Sequence, residues 1–261
     1  MKTIVITGST RGIGFAMARA FLRKGNKVVI SGRKPAVVKE AVQKLAEEFS
    51  ADKVAGFACD VTEYKQLQGL WDQALKKFGS IDIWVNNAGI SNMQNTPWEI
   101  PAEEIRSTVE TNVLGEMYGS KVAMQGFTKQ GNGAIYNMEG MGANGRSNNV
   151  KGLSIYGTTK AGLRYFNASL AAEVTNPRII TGSMQPGMVL TDMVTGQYEG
   201  KPEEWSRVKR IFDVIASDVD QVADWLTDKM LTNKKNGARF AFSSSLRIFS
   251  RFLMMPFQRK Q

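Results

Sequence analysis

The segment TIVITGSTRGIG, residues 3–14, decides the fold of this chain. It opens with β-branched residues typical of a buried strand and continues through a glycine-rich turn into an amphipathic stretch. Glycines let a backbone turn tightly and approach a pyrophosphate at the positive end of a helix. A turn without a ligand is the alternative, but its position after an N-terminal strand favours a dinucleotide site. The candidate contacts are Gly8, Ser9, Thr10, Arg11, Gly12, Ile13 and Gly14.

The same alternation of strand and helix continues along most of the chain. Strands are predicted at residues 3–7, 27–31, 53–59, 81–86, 133–138 and 178–184, with a last strand starting at Arg239. Helices are predicted at residues 12–24, 35–49, 63–78, 102–129 and 156–174. This order predicts an α/β fold, a single-domain Rossmann-type doubly wound parallel sheet flanked by helices on both faces. We assign the domain to residues 1–245.

One segment, residues 191–218, interrupts this alternation. It is polar and contains Gly196, Gly200 and Pro202. Inserted after a strand end, it forms either a mobile lid over a site or a plain surface excursion. Met193, near its start, is a candidate substrate contact.

Composition excludes several kinds of site. The 261 residues include no histidine and one cysteine, which excludes serine–histidine and cysteine–histidine triads, histidine-ligated metal sites and an intrachain disulfide. We expect no metal. The formal net charge of +10 would suit nucleic acid, anionic lipid or an anionic cofactor. No basic block interleaved with aromatic residues stands out, so no nucleic-acid partner is expected. We see no signal peptide or long apolar run, which favours a cytoplasmic location.

The second predicted strand ends in Ser31-Gly32-Arg33-Lys34. An acidic residue at this place would bind the ribose hydroxyls of NAD, whereas cations favour the additional phosphate of NADP. Arg33 and Lys34, with Arg11 as a further cation, therefore predict NADPH as the preferred cofactor. The alternative is that Arg33 and Lys34 simply occupy a solvated loop.

Tyr156 and Lys160 stand four residues apart on a predicted helix, so the phenol and the ammonium share one face. A tyrosine ionises near pH ~10, and an adjacent cation favours its phenolate, which makes acid–base work possible closer to neutral pH. Taken alone, the spacing favours the alternative, a half-buried ring beside a solvated amine.

With these motifs in order, the chain resembles the short-chain dehydrogenase/reductase family along nearly its whole length. The glycine turn matches the family's Thr-Gly-x-x-x-Gly-x-Gly. Further matches are Asp60-Val61, Asn86-Asn87-Ala88-Gly89, Asn112, Tyr156 with Lys160, and Pro186-Gly187-Met188-Val189-Leu190-Thr191. The cofactor contacts that the resemblance implies, beyond the glycine turn, are Asp60, Val61, Asn87, Ala88, Gly89, Tyr156, Lys160, Pro186, Gly187, Val189 and Thr191.

The resemblance also implies the chemistry, which is hydride transfer between a nicotinamide and a carbonyl or alcohol carbon. Tyr156 would protonate the developing alkoxide, and Lys160 would lower the pKa of the tyrosine and bind the nicotinamide ribose. Asn112 would hold a water of the proton relay, although a helix-packing or backbone-bonding role is the alternative. A homodimer or homotetramer is expected on the same ground.

One departure concerns the serine that family members carry at the end of the fifth strand, about thirteen residues before the tyrosine. Here that strand ends in Asn137-Met138-Glu139-Gly140, and the serine is absent. Glu139, Ser147 and Ser154 are the candidates to replace it, the alternative being an ordinary polar loop.

The same departure resembles the chlorophyll b reductases, which carry Asn-Met-Asp-Gly at this place. They share a Tyr-Gly-x-Thr-Lys-x-Gly-Leu-Arg pattern, found here at residues 156–164, and Pro-Gly-Met-Val-Leu-Thr-Asp, found at residues 186–192. This resemblance implies reduction of a formyl group on a large, flat tetrapyrrole by NADPH. Because Glu139 replaces the aspartate and the following loop differs, the substrate stays open. A non-catalytic NADP-binding regulator is a competing hypothesis.

The last residues, 246–261, form a basic, apolar C-terminal tail. Arginines within a short apolar stretch are typical of a helix at a membrane surface. Burial against the chain's own domain or in a subunit interface is the alternative. A peripheral membrane protein that works mainly through this tail is a further hypothesis.

Overall fold

The computed structural model describes residues 1–143 and 151–242. Within these residues seven parallel strands form one sheet in the order β3-β2-β1-β4-β5-β6-β7. The strands are β1 Thr3–Ile6, β2 Lys27–Gly32, β3 Val54–Ala58, β4 Ile83–Asn86, β5 Gly133–Met138, β6 Ile179–Gln185 and β7 Ala238–Ala241. The chain winds outward from β1 to β3 and then returns to place β4 on the other side of β1. The predicted doubly wound parallel sheet is confirmed.

Helices cover both faces of this sheet. In the described ranges they are α1 Gly12–Arg23, α2 Pro35–Glu48, α3 Tyr64–Phe78, α4 Ala102–Val109, α5 Gly115–Gln130, α6 Ser154–Glu173, α7 Asp192–Thr195, α8 Pro202–Ile215 and α9 Val219–Thr232. Successive side chains of a strand point to opposite faces, so Ile4 and Ile6 belong to one core and Val5 to the other. The first core is closed by α1, α2 and α9, and the second by α3 and α5.

The helical region predicted at residues 102–129 is divided in three. A π-helical segment, Glu110–Leu114, separates α4 from α5, and it carries the candidate residue Asn112. π-helical turns inside α-helices are frequent at functional sites. This segment therefore places Asn112 where the axis of the helix is locally disturbed.

Residues 191–218, predicted as a lid or a surface excursion, are largely helical. They contain α7, a 3₁₀ turn at Gly196–Tyr198, and α8. Tyr198, Trp205 and Phe212 pack on one another, with ring centroids 5.4 Å apart for Tyr198 and Trp205 and 5.8 Å apart for Trp205 and Phe212. This small aromatic core gives the segment its own internal packing. Its role as a lid stays a prediction.

Helix α9 had no counterpart among the predicted elements. Its N-cap, Asp218, accepts a hydrogen bond from the backbone N–H of Gln221 at 2.9 Å, and the helix packs its apolar side against α1. Across residues 1–143 and 151–242, none of the helices is long and apolar enough to cross a membrane. The candidate Ser147 and the tail at residues 246–261 lie outside the described residues.

Candidate active site

The glycine turn closes tightly between β1 and α1. Gly8 and Gly12 have φ angles of +59° and +57°, a conformation that L side chains rarely adopt. A Cβ at Gly8 would lie 2.7 Å from the Cα of Ala88, and a Cβ at Gly14 would lie 2.6 Å from the carbonyl oxygen of Gly8. Arg11 is the N-cap of α1 and supplies no side-chain cap. The turn thus leaves the first amides of α1 available to an anion.

Three other residues of the turn serve its packing. The hydroxyl of Ser9 donates to the carbonyl of Ile6 at 2.6 Å and accepts from the N–H of Ser31 at 3.0 Å. The methyl group of Thr10 lies where Gly32 would carry a Cβ, and Ile13 packs against the core. Ser9 and Thr10 therefore join the turn to the end of β2.

Three cations lie around this turn. Arg33 and Lys34 follow β2 directly, and both are exposed. In the part of the chain that the structure describes, neither side chain forms an ion pair. The guanidinium of Arg11 is also exposed and lies 3.3 Å from the carboxylate of Asp192 on α7. An ion pair this exposed contributes little to stability, so all three cations can respond to an anionic ligand.

The signature residues after β4 fasten that strand to the glycine turn. The amide of Asn87 donates to the carbonyls of Thr7 and Gly8 at 3.0 and 2.8 Å. The hydroxyl of Thr7 accepts from the backbone N–H groups of Asn87 and Ala88. These bonds bring the carboxyl ends of β1 and β4 together, which is where ligands of open α/β sheets bind.

Two further predicted cofactor segments border the same cleft. Beyond β3, a carboxylate oxygen of Asp60 accepts from the N–H and the hydroxyl of Thr62, while Val61 is buried. The segment after β6 contains Pro186, Gly187 with φ +77°, and Val189, which is buried. It ends at Thr191, whose methyl group lies 3.6 Å from the place where Gly12 would carry a Cβ. The glycine turn and the segment after β6 therefore face each other.

Tyr156 and Lys160 occupy the first turns of α6. The backbone N–H of Tyr156 donates to the side chain of Asn92 at 3.1 Å. The Lys160 amine is buried and donates to the carbonyl of Met138, the last residue of β5, at 2.9 Å. It lies 6.0 Å from the centre of the Tyr156 ring. The predicted pair is thus brought together.

Burial shifts the pKa values of both members of this pair. Burial raises the pKa of Tyr156 to about 12. Burial also lowers the pKa of Lys160, against the opposing effect of the carboxyls of Glu116 and Glu139. Desolvation of the phenol dominates the shift of its pKa, and the amine of Lys160 donates to Met138, so the lowering effect of Lys160 on this pKa stays a prediction. A phenol with a raised pKa keeps its proton and can give it to a substrate oxygen.

Gly140 occupies the position that faces the Tyr156 hydroxyl. A Cβ added there would overlap the phenol oxygen, so the hydroxyl of Tyr156 fills the space that a side chain would take. The next residues turn back onto α6, with Gly142 at φ +97° against the backbone of Gly157. Among the described residues, the place beside the phenol is occupied by backbone.

Of the candidates to replace the serine, Glu139 and Ser154 lie among the described residues. One carboxylate oxygen of Glu139 accepts from the hydroxyl of Ser183 at 2.7 Å, and the other accepts from the guanidinium of Arg239 at 2.8 Å. Glu139 is thus engaged by β6 and β7, which is a different environment from the one expected beside the phenol. Ser154 is exposed at the start of α6, and Met193 on α7 is 41% exposed.

Asn112 uses its side chain to bind backbone. Its amide oxygen accepts from the N–H of Ile90 at 2.8 Å, and its amide nitrogen donates to the carbonyl of Ile90 at 2.8 Å and to the hydroxyl of Thr159 at 3.1 Å. These bonds correspond to the backbone-bonding alternative. They also hold the loop after β4 against α6, next to Lys160. The water contact of Asn112 stays a prediction.

A buried polar cluster behind Lys160 was missed by sequence reasoning. The amide of Asn86 donates to the side chain of Asn137 at 2.8 Å and to the backbone carbonyl of Glu116 at 3.4 Å. The carboxyl of Glu116 is buried, and burial raises its pKa to about 8, against the ammonium of Lys160. The sequence contained one indication that Glu116 is buried. It shares a helical face with Ser120, Ala123 and Phe127, at spacings typical of a face turned to the core.

Among the described residues, no group of three or more acidic or cysteine side chains is placed so that it could hold a metal ion.

Comparison with known proteins agrees with this geometry. The family model described as short chain dehydrogenase matches residues 2–202. A probable chlorophyll(ide) b reductase NYC1 from Arabidopsis thaliana is 34% identical over 263 residues, which covers 95% of this chain and 51% of that protein. A chlorophyll(ide) b reductase NOL from the same plant is 36% identical over 240 residues, covering 90% and 67%. The chain thus spans about half the length of the first of these relatives.

A solved structure shows the same fold. A variant of the actinorhodin polyketide ketoreductase, crystallised with NADPH, superposes with a TM-score of 0.83 at 23% identity and covers 94% of this chain and 97% of its own. With the family match, the glycine turn and the Tyr156–Lys160 pair in one cleft, this chain belongs to the short-chain dehydrogenase/reductase family, in which it is similar to the chlorophyll b reductases.

Proposed function

We propose that this chain reduces a carbonyl group with NADPH, and that Tyr156 donates the proton. The observation that carries the proposal is the placement of the Tyr156 phenol, with its raised pKa, at the end of β5 in the cleft that the glycine turn also borders. A protonated phenol at this place is an acid that can meet the developing negative charge on a carbonyl oxygen.

The residues of the cleft fit a dinucleotide. Gly8, Gly12 and Gly14 form a tight turn, in which a Cβ at Gly8 or Gly14 would clash with neighbouring atoms. Helix α1 also lacks a side-chain cap. These are the properties by which a helix terminus receives a pyrophosphate. We assign the additional phosphate of NADPH to Arg33 and Lys34, whose exposed charges favour it over NAD. When bound, NADPH supplies the hydride.

The protein supplies the proton and the charge around it. Tyr156 gives its proton to the carbonyl oxygen and is left as a phenolate, which the Lys160 ammonium stabilises. Asn112 holds the loop after β4 and α6 together through Ile90 and Thr159. Desolvation of both ionisable groups strengthens their interaction relative to water.

For the substrate, we propose a formyl group on a bulky, planar or apolar molecule. The relatives that support this choice are named as chlorophyll(ide) b reductases. The departure at the end of β5, Asn137-Met138-Glu139-Gly140, supports it as well, because the pattern is similar to that of the chlorophyll b reductases. A homo-oligomer and a membrane contact of residues 246–261 stay predictions.

The test is the Tyr156→Phe variant, assayed with NADPH against chlorophyllide b and a panel of aromatic and aliphatic aldehydes. We expect the wild type to form the hydroxymethyl product from at least one bulky aldehyde. The variant should lose about 10²–10⁴-fold in turnover, the contribution of a positioned proton donor, and should still bind NADPH by fluorescence titration. Turnover that survives this change would exclude Tyr156 as the donor.

A second candidate function is a non-catalytic NADP-binding regulator, which the absence of a side chain at Gly140 favours. The same panel separates the two. NADPH binding at micromolar concentrations with no turnover of any carbonyl compound would support the regulator and reject the reductase.

A further inference from the structure

Helix α6 begins without a side-chain cap of its own, although it carries Tyr156 in its first turn. Its N-cap residue is Leu153, whose side chain has no oxygen that could bind the first amides. The first N–H groups of a helix have no partner within the helix and need one from elsewhere. In α6 the N–H of Gly157 is the first that binds within the helix, to the carbonyl of Leu153 at 2.8 Å. The N–H of Tyr156 therefore depends on a partner outside the helix.

That partner is Asn92, in the loop after β4. Its side-chain oxygen accepts from the N–H of Tyr156, the third residue of the helix, at 3.1 Å and across a separation of 64 residues. An N-cap side chain normally accepts from the second or third N–H of its own helix. Asn92 thus supplies to α6, from a distant part of the chain, the acceptor that Leu153 lacks.

The amide nitrogen of Asn92 holds this side chain in place. It donates to the carbonyl of Gly152 at 2.9 Å and to the carbonyl of Met93 at 2.8 Å. Gly152 lies two residues before α6 and packs closely on the same loop, since an added Cβ would lie 3.0 Å from the backbone nitrogen of Asn95. The loop after β4 therefore binds both the chain that leads into α6 and the amide of Tyr156.

Burial keeps water from replacing these bonds. Asn92 is 0% exposed, and the segment at residues 191–218 reaches the same place. The amide of Gln197 donates to the hydroxyl of Ser91 at 3.0 Å and to the backbone carbonyl of Asn92 at 3.4 Å. A buried donor that loses its partner is left with the full cost of its desolvation. The bond between Asn92 and Tyr156 is thus one that solvent does not readily substitute.

We propose that Asn92 is a positioning residue for Tyr156: its buried side chain caps α6 and so keeps the phenol at the end of β5. The phenol lies against Gly140, where an added Cβ would overlap its oxygen. A displacement of the first turn of α6 would therefore move the acid from this place, and a misplacement of about 1 Å can lower a rate about 10²-fold. This inference rests on the proposed function, because it concerns the step in which Tyr156 donates its proton.

The experiment compares kcat and KM for Asn92→Ala and Asn26→Ala. Asn26 is the matched control, because it is a buried asparagine between α1 and β2 that also accepts from one backbone N–H and donates to two backbone carbonyls. We expect Asn92→Ala to lower kcat about tenfold, as a misplaced proton donor would. Its KM for NADPH should stay within about twofold, since the lost interaction acts on the chemical step. Asn26→Ala should keep the kcat of the wild type.

Asn92→Asp separates the acceptor of this side chain from its donors. It keeps an oxygen for the N–H of Tyr156, near the positive end of α6, and loses the amide that binds Gly152 and Met93. We expect a kcat within about threefold of the wild type, because aspartate caps a helix about as well as asparagine does. This variant also decides the matter if Asn92→Ala does not fold. A kcat about tenfold below the wild type in Asn92→Asp would reject the cap as the cause.

A merely structural role predicts the same kcat for Asn92→Ala and Asn26→Ala, because each variant removes the hydrogen bonds of one buried asparagine. Equal values would overturn the inference where the wild type is active and Tyr156→Phe is inactive. Full activity of Tyr156→Phe would instead reject the proposed function.

A second measurement needs no turnover. In ¹⁵N-labelled protein, the N–H of Tyr156 should exchange with solvent about fivefold faster in Asn92→Ala than in the wild type, which is the effect of losing one hydrogen bond. Asn26→Ala should leave this rate unchanged. A rate that is the same in Asn92→Ala and the wild type would reject the inference even where the reductase assay succeeds. Faster exchange in a protein that reduces nothing would reject the proposed function and retain the cap.

Discussion

The two halves of the cleft are built differently. On the side of β1 and β4, small residues and backbone groups bind one another, as in the bonds from Asn87 to Thr7 and Gly8. On the side of β5 and α6, the charged side chains of Lys160, Glu116 and Glu139 are buried. The difference teaches that a cofactor backbone is received by shape and fixed dipoles, whereas proton transfer requires ionisable groups removed from water.

The first prediction concerns the ion pair between Glu139 and Arg239 in the charged half of the cleft. Replacing Arg239 by Met leaves the Glu139 carboxylate buried without its cation, and removing one partner of a buried pair costs about 3–5 kcal/mol of stability. Because Arg239 is partly exposed, we expect about 3 kcal/mol, at the lower end of that range. Urea unfolding of the variant and the wild type measures this difference.

Lys235→Met, in the exposed segment before β7, removes the same charge without leaving a buried carboxylate. It should change stability by less than about 0.5 kcal/mol, the usual effect of a surface substitution. A loss of the same size in both variants would show that the Glu139–Arg239 pair does not matter to the fold.

The second prediction breaks the half built from small residues. In Gly8→Ala, the new Cβ would lie 2.7 Å from the Cα of Ala88 and the residue would be forced to hold a positive φ. Such strain costs about 1–3 kcal/mol, and we expect about 2 kcal/mol together with weaker binding of NADPH. Urea unfolding and fluorescence titration measure the two effects.

Gly25 provides a matched control, since it has a φ of +77° and nothing within 4 Å of an added Cβ. Gly25→Ala should lose only the stability that the strained backbone conformation costs, and it should bind NADPH like the wild type. Equal loss of NADPH affinity in both variants would contradict the importance of the contact between the turn and Ala88.

The two halves also differ in how far sequence could predict them. The alternation of strands and helices, the glycine turn and the Tyr156–Lys160 spacing are local patterns. The structure confirms the sheet, packs the glycine turn against Ala88 and places the Lys160 amine beside Gly89. The π-helical segment at Glu110–Leu114 has no propensity signal of its own. Helix α9 carried a recognisable Asp218 cap, but only packing against α1 makes it a stable helix.

The charged half depends on contacts that no local pattern contains. Glu139 pairs with Arg239 across a separation of 100 residues, and Glu116 becomes buried only when α5 packs on the sheet. The direction of the pKa shift of Tyr156 likewise follows from burial, whereas spacing alone indicated the opposite direction. A prediction from sequence recognised the residue types at this site but not the desolvation that determines their protonation.

The last prediction concerns the edge of the half built from small residues, where the exposed cations Arg33 and Lys34 follow β2. Replacing both Arg33 and Lys34 by Ser should raise the KM for NADPH about tenfold, because charge-assisted bonds to the phosphate are lost, while the KM for NADH and kcat change little. The preference between cofactors, measured as the ratio of the two kcat/KM values, should fall accordingly and should weaken in the wild type at high salt.

The double variant Lys65→Ser with Lys76→Ser removes the same total charge from α3, so it separates local recognition from the general field of a protein with net charge +10. Equal losses in the two double variants would assign the preference to net charge, since a directional phosphate contact at the end of β2 is sensitive only to Arg33 and Lys34.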